Sequence, residues 1–153
     1  MLGLLFVSCK KDDIRDAFTG SYVGKVNMKG TRVVNGGESQ PVTESRTGYF
    51  SISRDGKSGN KVTVKIIGVD YGNLTGSVDN DVLTIDPLHT TINETKNNTR
   101  KSTTVDLSFQ PAQISGKHLI LNGSLHTLTT SVSSSSTSTE DLQAALLIEA
   151  DKQ

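Results

Sequence analysis

Apolar and polar residues alternate along most of this chain with a period of two. The pattern is clearest between residues 103 and 109, where Val105, Leu107 and Phe109 alternate with polar residues. This period indicates a half-buried β-strand, because an amphipathic helix would repeat every 3.6 residues. The alternation predicts strands at residues 21–28, 46–54, 62–67, 74–78, 82–85, 88–93, 103–109, 112–115, 119–121 and 125–132.

Polar turn sequences separate these segments. Asp79-Asn80-Asp81 predicts a tight hairpin, and Ser115-Gly116-Lys117 predicts another. Longer polar loops are expected at residues 35–43, 54–60, 93–102 and 132–139. Short strands joined by such turns favour an all-β fold, and we expect an antiparallel meander barrel or half-barrel of about eight to ten strands.

The last segment, residues 139–153, fits two structures. Ser138 and Asp141 match a helix capping box, and good helix formers follow them. Four apolar residues also alternate as they would in a strand: Ala144, Leu146, Ile148 and Ala150. A final strand is favoured because the preceding strand needs a partner, but a helix remains open.

The apolar faces of the three strongest strands predict a shared core. Its members are Phe50, Ile52, Val64, Ile66, Leu107 and Phe109. Only 33% of the 153 residues are hydrophobic, 5% are aromatic and none is Trp, which predicts a thin core in a single domain. Sixteen basic and sixteen acidic residues balance to a net charge of zero, so we expect no nucleic-acid partner, which would need a clustered basic face.

The N-terminal residues show a different pattern. An apolar run ends at Ser8 and is followed by the only cysteine, Cys9, and by four charged residues. The run is far shorter than the roughly 20 residues that cross a bilayer, which is typical of a processing signal. Leu5-Phe6-Val7-Ser8-Cys9 resembles a lipobox, the cleavage site of bacterial lipoproteins. A buried N-terminal strand with an ordinary cysteine is the alternative.

The lipobox resemblance implies that Cys9 carries lipid and attaches the chain to a membrane. We therefore expect a signal-peptide remnant over residues 1–8, a charged, loosely attached tether over residues 9–17, and one domain over residues 18–153. The sequence Lys10-Lys11-Asp12-Asp13 resembles the surface-export signal of Bacteroidetes lipoproteins. That resemblance implies an outer-membrane lipoprotein at the cell surface.

The beginning of the domain resembles the lipocalin-like (calycin-like) domains of Bacteroidetes lipoproteins. Gly20-Ser21-Tyr22 stands where lipocalins have Gly-x-Trp, and residues 74–87 and 116–122 resemble later elements of that group. The resemblance implies a barrel with a small-ligand pocket and no catalytic chemistry. It also places Tyr22 near the closed end with its ring packed and its hydroxyl bonded, and Lys152 on the last strand as the residue to cover that ring.

Residues with catalytic or metal-binding chemistry are few and scattered. His89, His118 and His126 lack the local spacing of a zinc site, so we expect no metal and no cofactor. Asp81 and Asp86 form a candidate carboxylate pair, but turn or edge positions explain both. No serine lies in a nucleophile elbow, and we do not expect an enzyme.

Two functions remain. The first is a lipid-anchored, non-catalytic binding module for a small hydrophobic or glycan ligand. The second is a structural lipoprotein that contacts an envelope protein partner and has a filled core. Interior volume separates them, because ligand pockets usually occupy a few hundred Å³.

Overall fold

The computed structural model describes residues 13–57, 59–67 and 72–153, and these ranges contain strands and turns but no helix. None of the described residues forms a helix that could cross a membrane. The strands are β1 (Gly20–Val34), β2 (Gln40–Arg54), β3 (Lys61–Ile67), β4 (Asn73–Asp79), β5 (Val82–Ile85), β6 (Leu88–Lys96), β7 (Thr99–Phe109), β8 (Ile114–Ser115), β9 (His118–Val132) and β10 (Thr137–Lys152).

The strands form one antiparallel sheet. Nine of them are hydrogen bonded in the order β5-β4-β3-β2-β1-β10-β9-β7-β6, and the short β8 pairs with β9. The sheet is strongly curled, which confirms the predicted all-β half-barrel. β10 pairs with both β1 and β9, so the open question about residues 139–153 is answered in favour of a strand.

One half of the sheet closes into a ring. Leu83 of β5 exchanges two backbone hydrogen bonds with Ala112, at 2.8 and 2.9 Å. The chain after Ala112 enters β8, which pairs with the start of β9. This bridge joins the β5 edge to the other side of the sheet, and we call the ring the closed half.

The other half stays open. After β5 the chain passes Asp86 and Pro87 and enters β6, which pairs with β7 and not with β4. The remaining sheet, in the order β2-β1-β10-β9-β7-β6, ends in three hairpin tips at residues 35–39, 97–98 and 133–136. In this open half, residues 40–48 of β2 pair only with β1, and the outer side of β6 has no strand partner among the described residues.

The core fills the closed half. The predicted core is confirmed: Phe50, Ile52, Val64, Leu107 and Phe109 belong to one buried cluster, and Ile66 packs against it partly buried. Further members come from almost every strand of the ring, among them Val62, Leu74, Val78, Leu83, Ile85, Leu119, Leu121 and Ile148. Alternation therefore identified the ring strands correctly.

One predicted loop is wrong and two are too long. Residues 93–102 are strand apart from the turn at 97–98, whereas the loops expected at 35–43 and 132–139 are confirmed only over residues 35–39 and 133–136. Asn97 and Asn98 adopt φ of 49° and 61°, which suits a tight two-residue hairpin. These strand ends were missed because they carry polar residues on both faces and so show no alternation. The predicted hairpins at Asn80-Asp81 and at Gly116 are confirmed.

The predicted break between residues 121 and 125 is also wrong, since β9 is continuous from His118 to Val132. Gly123 lies within the continuous strand and pairs with Phe109 and Leu146. A Cβ at Gly123 would lie 2.5 Å from the Ser108 carbonyl oxygen and 2.7 Å from the Phe109 ring. Glycine therefore permits the close strand approach that the strongly curled sheet requires.

The expected loose tether is corrected for residues 13–17. Asp13–Thr19 forms a compact turn in which Phe18 and Thr19 donate backbone hydrogen bonds to the Arg15 carbonyl, at 3.0 and 2.9 Å. The side chains of Arg15 and Phe18 are fully buried. The turn covers the end of the closed half, because the Phe18 side chain packs into the core there and the Arg15 guanidinium is hydrogen bonded to several carbonyls.

Candidate functional site

A cleft of about 270 Å³ lies on the inner face of the sheet, at the boundary between the closed and open halves. Its wall is mostly apolar and draws on six strands. The lining apolar residues are Val26, Met28, Ile66, Ile67, Leu107, Phe109, Leu125, Leu146 and Ile148. The volume lies just below the roughly 300–1,000 Å³ that is typical of pockets for small ligands.

The cleft exists because the sheet splits above the core. β3 ends at Ile67, whereas β2 continues upward toward Gln40 without a partner on that side among the described residues. Inner-face residues that would meet across a complete barrel therefore face open space. The floor is nearly filled, because only about 20 Å³ remains below it, next to Phe50 and Val64.

Gly48 keeps one wall of the cleft low. It lines the cleft on β2, opposite Gly24 of β1. A Cβ at Gly48 would come within 2.4 Å of the Val26 side chain. A larger residue would have to displace Val26 and would reduce the space between β2 and the inner face.

The rim carries two opposite charges. Glu44 and Arg46 lie two residues apart on β2, so both point to the inner face, and both are exposed. Ile67, also on the rim, is 59% exposed. The cleft thus combines an apolar interior with charged groups at its mouth, which suits a small amphipathic molecule. Neither residue was expected at a site: Glu44 falls between the predicted loop at residues 35–43 and the predicted strand at residues 46–54, and Arg46 was assigned only to that strand.

The lining offers little for catalysis. Its polar side chains are Glu44, Arg46 and Thr47. None of the three histidines lines this cleft. A nucleophile, a base and an oriented third group are not assembled there.

The closed end holds the residues that resemble the lipocalin start. Tyr22 is 1% exposed, stacks on Phe50 with ring centroids 4.8 Å apart, and donates a hydrogen bond to the Phe18 carbonyl at 2.5 Å. Burial raises the pKa of Tyr22 to about 12. The environment is the one expected for Tyr22, while its meaning as a family signature stays a prediction.

Lys152 lies opposite Tyr22 in the register between β1 and β10. Its ammonium group donates hydrogen bonds to the carbonyls of Asp16 and Ala17, at 2.9 and 3.2 Å. Gly20 has φ of +152°, and a Cβ there would lie 2.7 Å from Lys152 Cε. Gly20 therefore leaves room for the lysine that holds the N-terminal turn.

The structure brings two of the three histidines together on the outer face of the open half. His89 and His126 both contact Asp106, His89 by a hydrogen bond and His126 with Nδ1 3.6 Å from Asp106 Oδ2. His126 Nε2 also lies 3.1 Å from Asp141 Oδ1. Cross-strand register creates this row, and sequence alone does not give the register. The groups are exposed, and no set of three potential metal ligands is suitably placed among the described residues.

His118 and the carboxylate pair have ordinary surroundings. His118 Nδ1 lies 2.9 Å from Asp151 Oδ1 on the neighbouring strand. Asp86 accepts a hydrogen bond from the Thr75 hydroxyl at 2.7 Å, and Asp81 sits in the tight turn between β4 and β5. Both carboxylates thus occupy the edge and turn positions that the sequence suggested.

Residues 1–8 and the predicted lipidation and export residues Cys9, Lys10, Lys11 and Asp12 lie outside the described residues. Asp13 is described and pairs with Arg15, Nη2 to Oδ2 at 2.6 Å. This hydrogen-bonded pair holds the pKa of Asp13 far below its usual value. Comparison with known proteins adds no relative: neither a family model nor a curated protein matches the chain.

Proposed function

We propose that this protein is a lipid-anchored lipoprotein of the cell envelope that binds a small ligand without chemical conversion. The observation that carries the proposal is the open cleft of about 270 Å³ above a packed core. A filled interior would have favoured the structural alternative. The lining contributes a single aromatic residue, Phe109, and no aromatic platform for sugar rings. We therefore favour a small hydrophobic or amphipathic ligand over a glycan.

A matched pair of substitutions on β9 tests the cleft. Leu125 lines the cleft, whereas Leu128 is on the opposite face of the same strand and 44% exposed. Leu125→Trp should fill the cleft and abolish binding of a naphthalene sulfonate dye or a medium-chain fatty acid, measured by fluorescence titration and calorimetry. Leu128→Trp should leave binding unchanged. Equal binding by both variants would refute the cleft as the ligand site.

The anchor is part of the proposal and rests on the lipobox-like sequence before Cys9. Two acyl chains would make attachment stable, whereas one chain binds membranes only marginally. The charged residues behind Cys9 support export to the outer surface of the outer membrane. Expressed behind a complete lipoprotein signal, the chain should incorporate labelled palmitate, and Cys9→Ala should not. Equal incorporation would contradict the anchor and leave the cleft experiment unaffected.

One observation favours the second function, a structural lipoprotein that binds an envelope protein. The outer side of β6 has no partner in the described part of the sheet, and an unpaired edge can accept a strand from another protein. Leu125→Trp separates the two functions in the native host. If the Leu125→Trp variant still supports the function that is lost when the protein is deleted, the edge of β6 is functional and the cleft is not.

A further inference from the structure

The N-terminal turn is locked to the closed end by a buried arginine. Arg15 donates from Nη1 to the carbonyls of Asp55 and Lys61, both at 3.1 Å. Its Nε and Nη2 donate to the two carboxylate oxygens of Asp13, at 2.8 and 2.6 Å. The Arg15 side chain has no exposed surface. We call Asp13 and Arg15 the clamp.

Other contacts hold the same turn. Lys152 donates to the carbonyls of Asp16 and Ala17, and Arg54 is paired with Asp16. The Phe18 side chain is buried in the core, and its carbonyl accepts the Tyr22 hydroxyl. The direction in which the chain enters the domain is therefore fixed at Asp13.

The anchor lies close to this entry point along the chain. Only Lys10, Lys11 and Asp12 separate Cys9 from Asp13. Even fully extended, such a connection spans at most about 15 Å. A lipid on Cys9 would thus keep the closed end within that distance of the bilayer surface.

The cleft mouth lies far from the clamp. Arg46 is on the rim, and Arg54, on the same strand, contacts the clamp with its Nε 3.6 Å from Asp13 Oδ2. The eight residue steps from Arg46 to Arg54 correspond to about 26 Å along a strand. The hairpin tips lie farther still, since β1, β9 and β10 each continue past the cleft.

We infer that the clamp turns the closed end toward the membrane, so that the cleft opens to the aqueous side. The ligand is then taken from solution and not from the bilayer that holds the protein. This inference rests on the proposed anchor at Cys9. It adds an orientation and a source for the ligand that the cleft and the anchor do not specify separately.

The test exploits the absence of Trp and the presence of a single cysteine. The purified full chain is coupled through Cys9 to a maleimide lipid in vesicles whose headgroups carry dansyl acceptors. Single-Trp reporters are placed beside the clamp, Lys57→Trp, and at the far hairpin tip, Ser135→Trp. We expect Lys57→Trp to lose most of its emission by energy transfer and Ser135→Trp to retain it. Equal loss at both sites, or greater loss at Ser135→Trp, would overturn the inference.

A third reporter, Met28→Trp, examines the cleft mouth directly. Iodide in solution should quench its emission, and phospholipids brominated in their acyl chains should not. Quenching by brominated lipid would overturn the aqueous source of the ligand. A flexible spacer inserted after Asp12 should reduce transfer from Lys57→Trp, and unchanged transfer would contradict the role of the short connection. Because maleimide coupling replaces the natural lipid, these results are independent of the palmitate experiment.

Discussion

The closed and open halves of the sheet share strands but differ in what their inner faces carry. In the closed half, β9 presents Leu119 and Leu121, which are 0% and 2% exposed. In the open half, the same face of β9 presents Thr127, Thr129 and Ser131. Apolar burial stabilises the ring, whereas the open half relies on ladder hydrogen bonds and cross-strand pairs. The ligand cleft lies at the boundary between the apolar inner face of the closed half and the polar inner face of the open half.

A single strand such as β9 therefore contributes to the apolar core at one end and to a polar sheet at the other. Thr103 and Thr129 contact through their hydroxyls at 3.1 Å on the inner face, and Thr91 and Thr104 at 3.3 Å on the outer face. A sheet that is polar on both faces buries little apolar surface, so its local stability should be low. Substitutions of similar chemistry should consequently have unequal effects in the two halves.

The largest effect is expected in the closed core. Phe109→Ala should lower the free energy of unfolding by about 3–5 kcal/mol, because it removes a large buried side chain. Leu128→Ala, in the open half, should change it by less than about 0.5 kcal/mol. Urea unfolding of both variants measures the contrast. Similar values for the two would show that the halves do not differ in this way.

Tyr22 tests the closed end more finely. Tyr22→Ala should cost about 3–5 kcal/mol, as for other large aromatic truncations, and Tyr22→Phe about 0.5–1.5 kcal/mol through the lost hydrogen bond to Phe18. Since burial raises the pKa of Tyr22 to about 12 from 10.0, the neutral hydroxyl is favoured in the fold. Its contribution should be complete below pH 10 and decline between pH 10 and 12.

The comparison that reveals this decline is between the wild-type protein and Tyr22→Phe. The difference in their thermal midpoints should shrink above pH 10. Neither variant should alter dye binding in the cleft, because Tyr22 does not line it. A large loss of affinity in Tyr22→Phe would mean that the closed end and the cleft are coupled.

The smallest effect is expected from Asp13→Asn at the clamp. The pKa of Asp13 is lowered in the fold from 3.8, so its contribution is present above pH 4 and is lost as the pH falls toward the folded value. The midpoint of Asp13→Asn should be below that of the wild type at pH 7, and the gap should narrow below pH 4. Asp141 forms an exposed pair with His126 in the open half, so Asp141→Asn should change the thermal midpoint less. If the difference in thermal midpoint between the wild type and Asp13→Asn stayed unchanged to strongly acidic pH, the charge of the Asp13 carboxylate would not be the source of the stabilisation.

The sequence predicts the closed half well for a physical reason. Each ring strand has one buried and one wet face, so alternation marks residues such as Val64 and Phe109 directly. The far strand ends of the open half escape prediction because they lack that contrast, as in β1, which continues through Lys29, Thr31 and Arg32. Arg15 escaped because a buried cation depends on carbonyls about forty residues away. A ligand pocket was expected only from the resemblance to lipocalin-like domains, because the shape of the cleft depends on where β3 ends.

The passage from β5 to β6 through Asp86 and Pro87 has an evolutionary consequence. The three hairpin tips belong to the open half, and none contributes to the buried core. Paired insertions there would lengthen the sheet while preserving every contact of the ring. Proteins with such insertions would gain new binding surface in the open half and would keep the core that stabilises the fold. The fold therefore predicts that related sequences will keep the closed half and will differ mainly in the length of the open half.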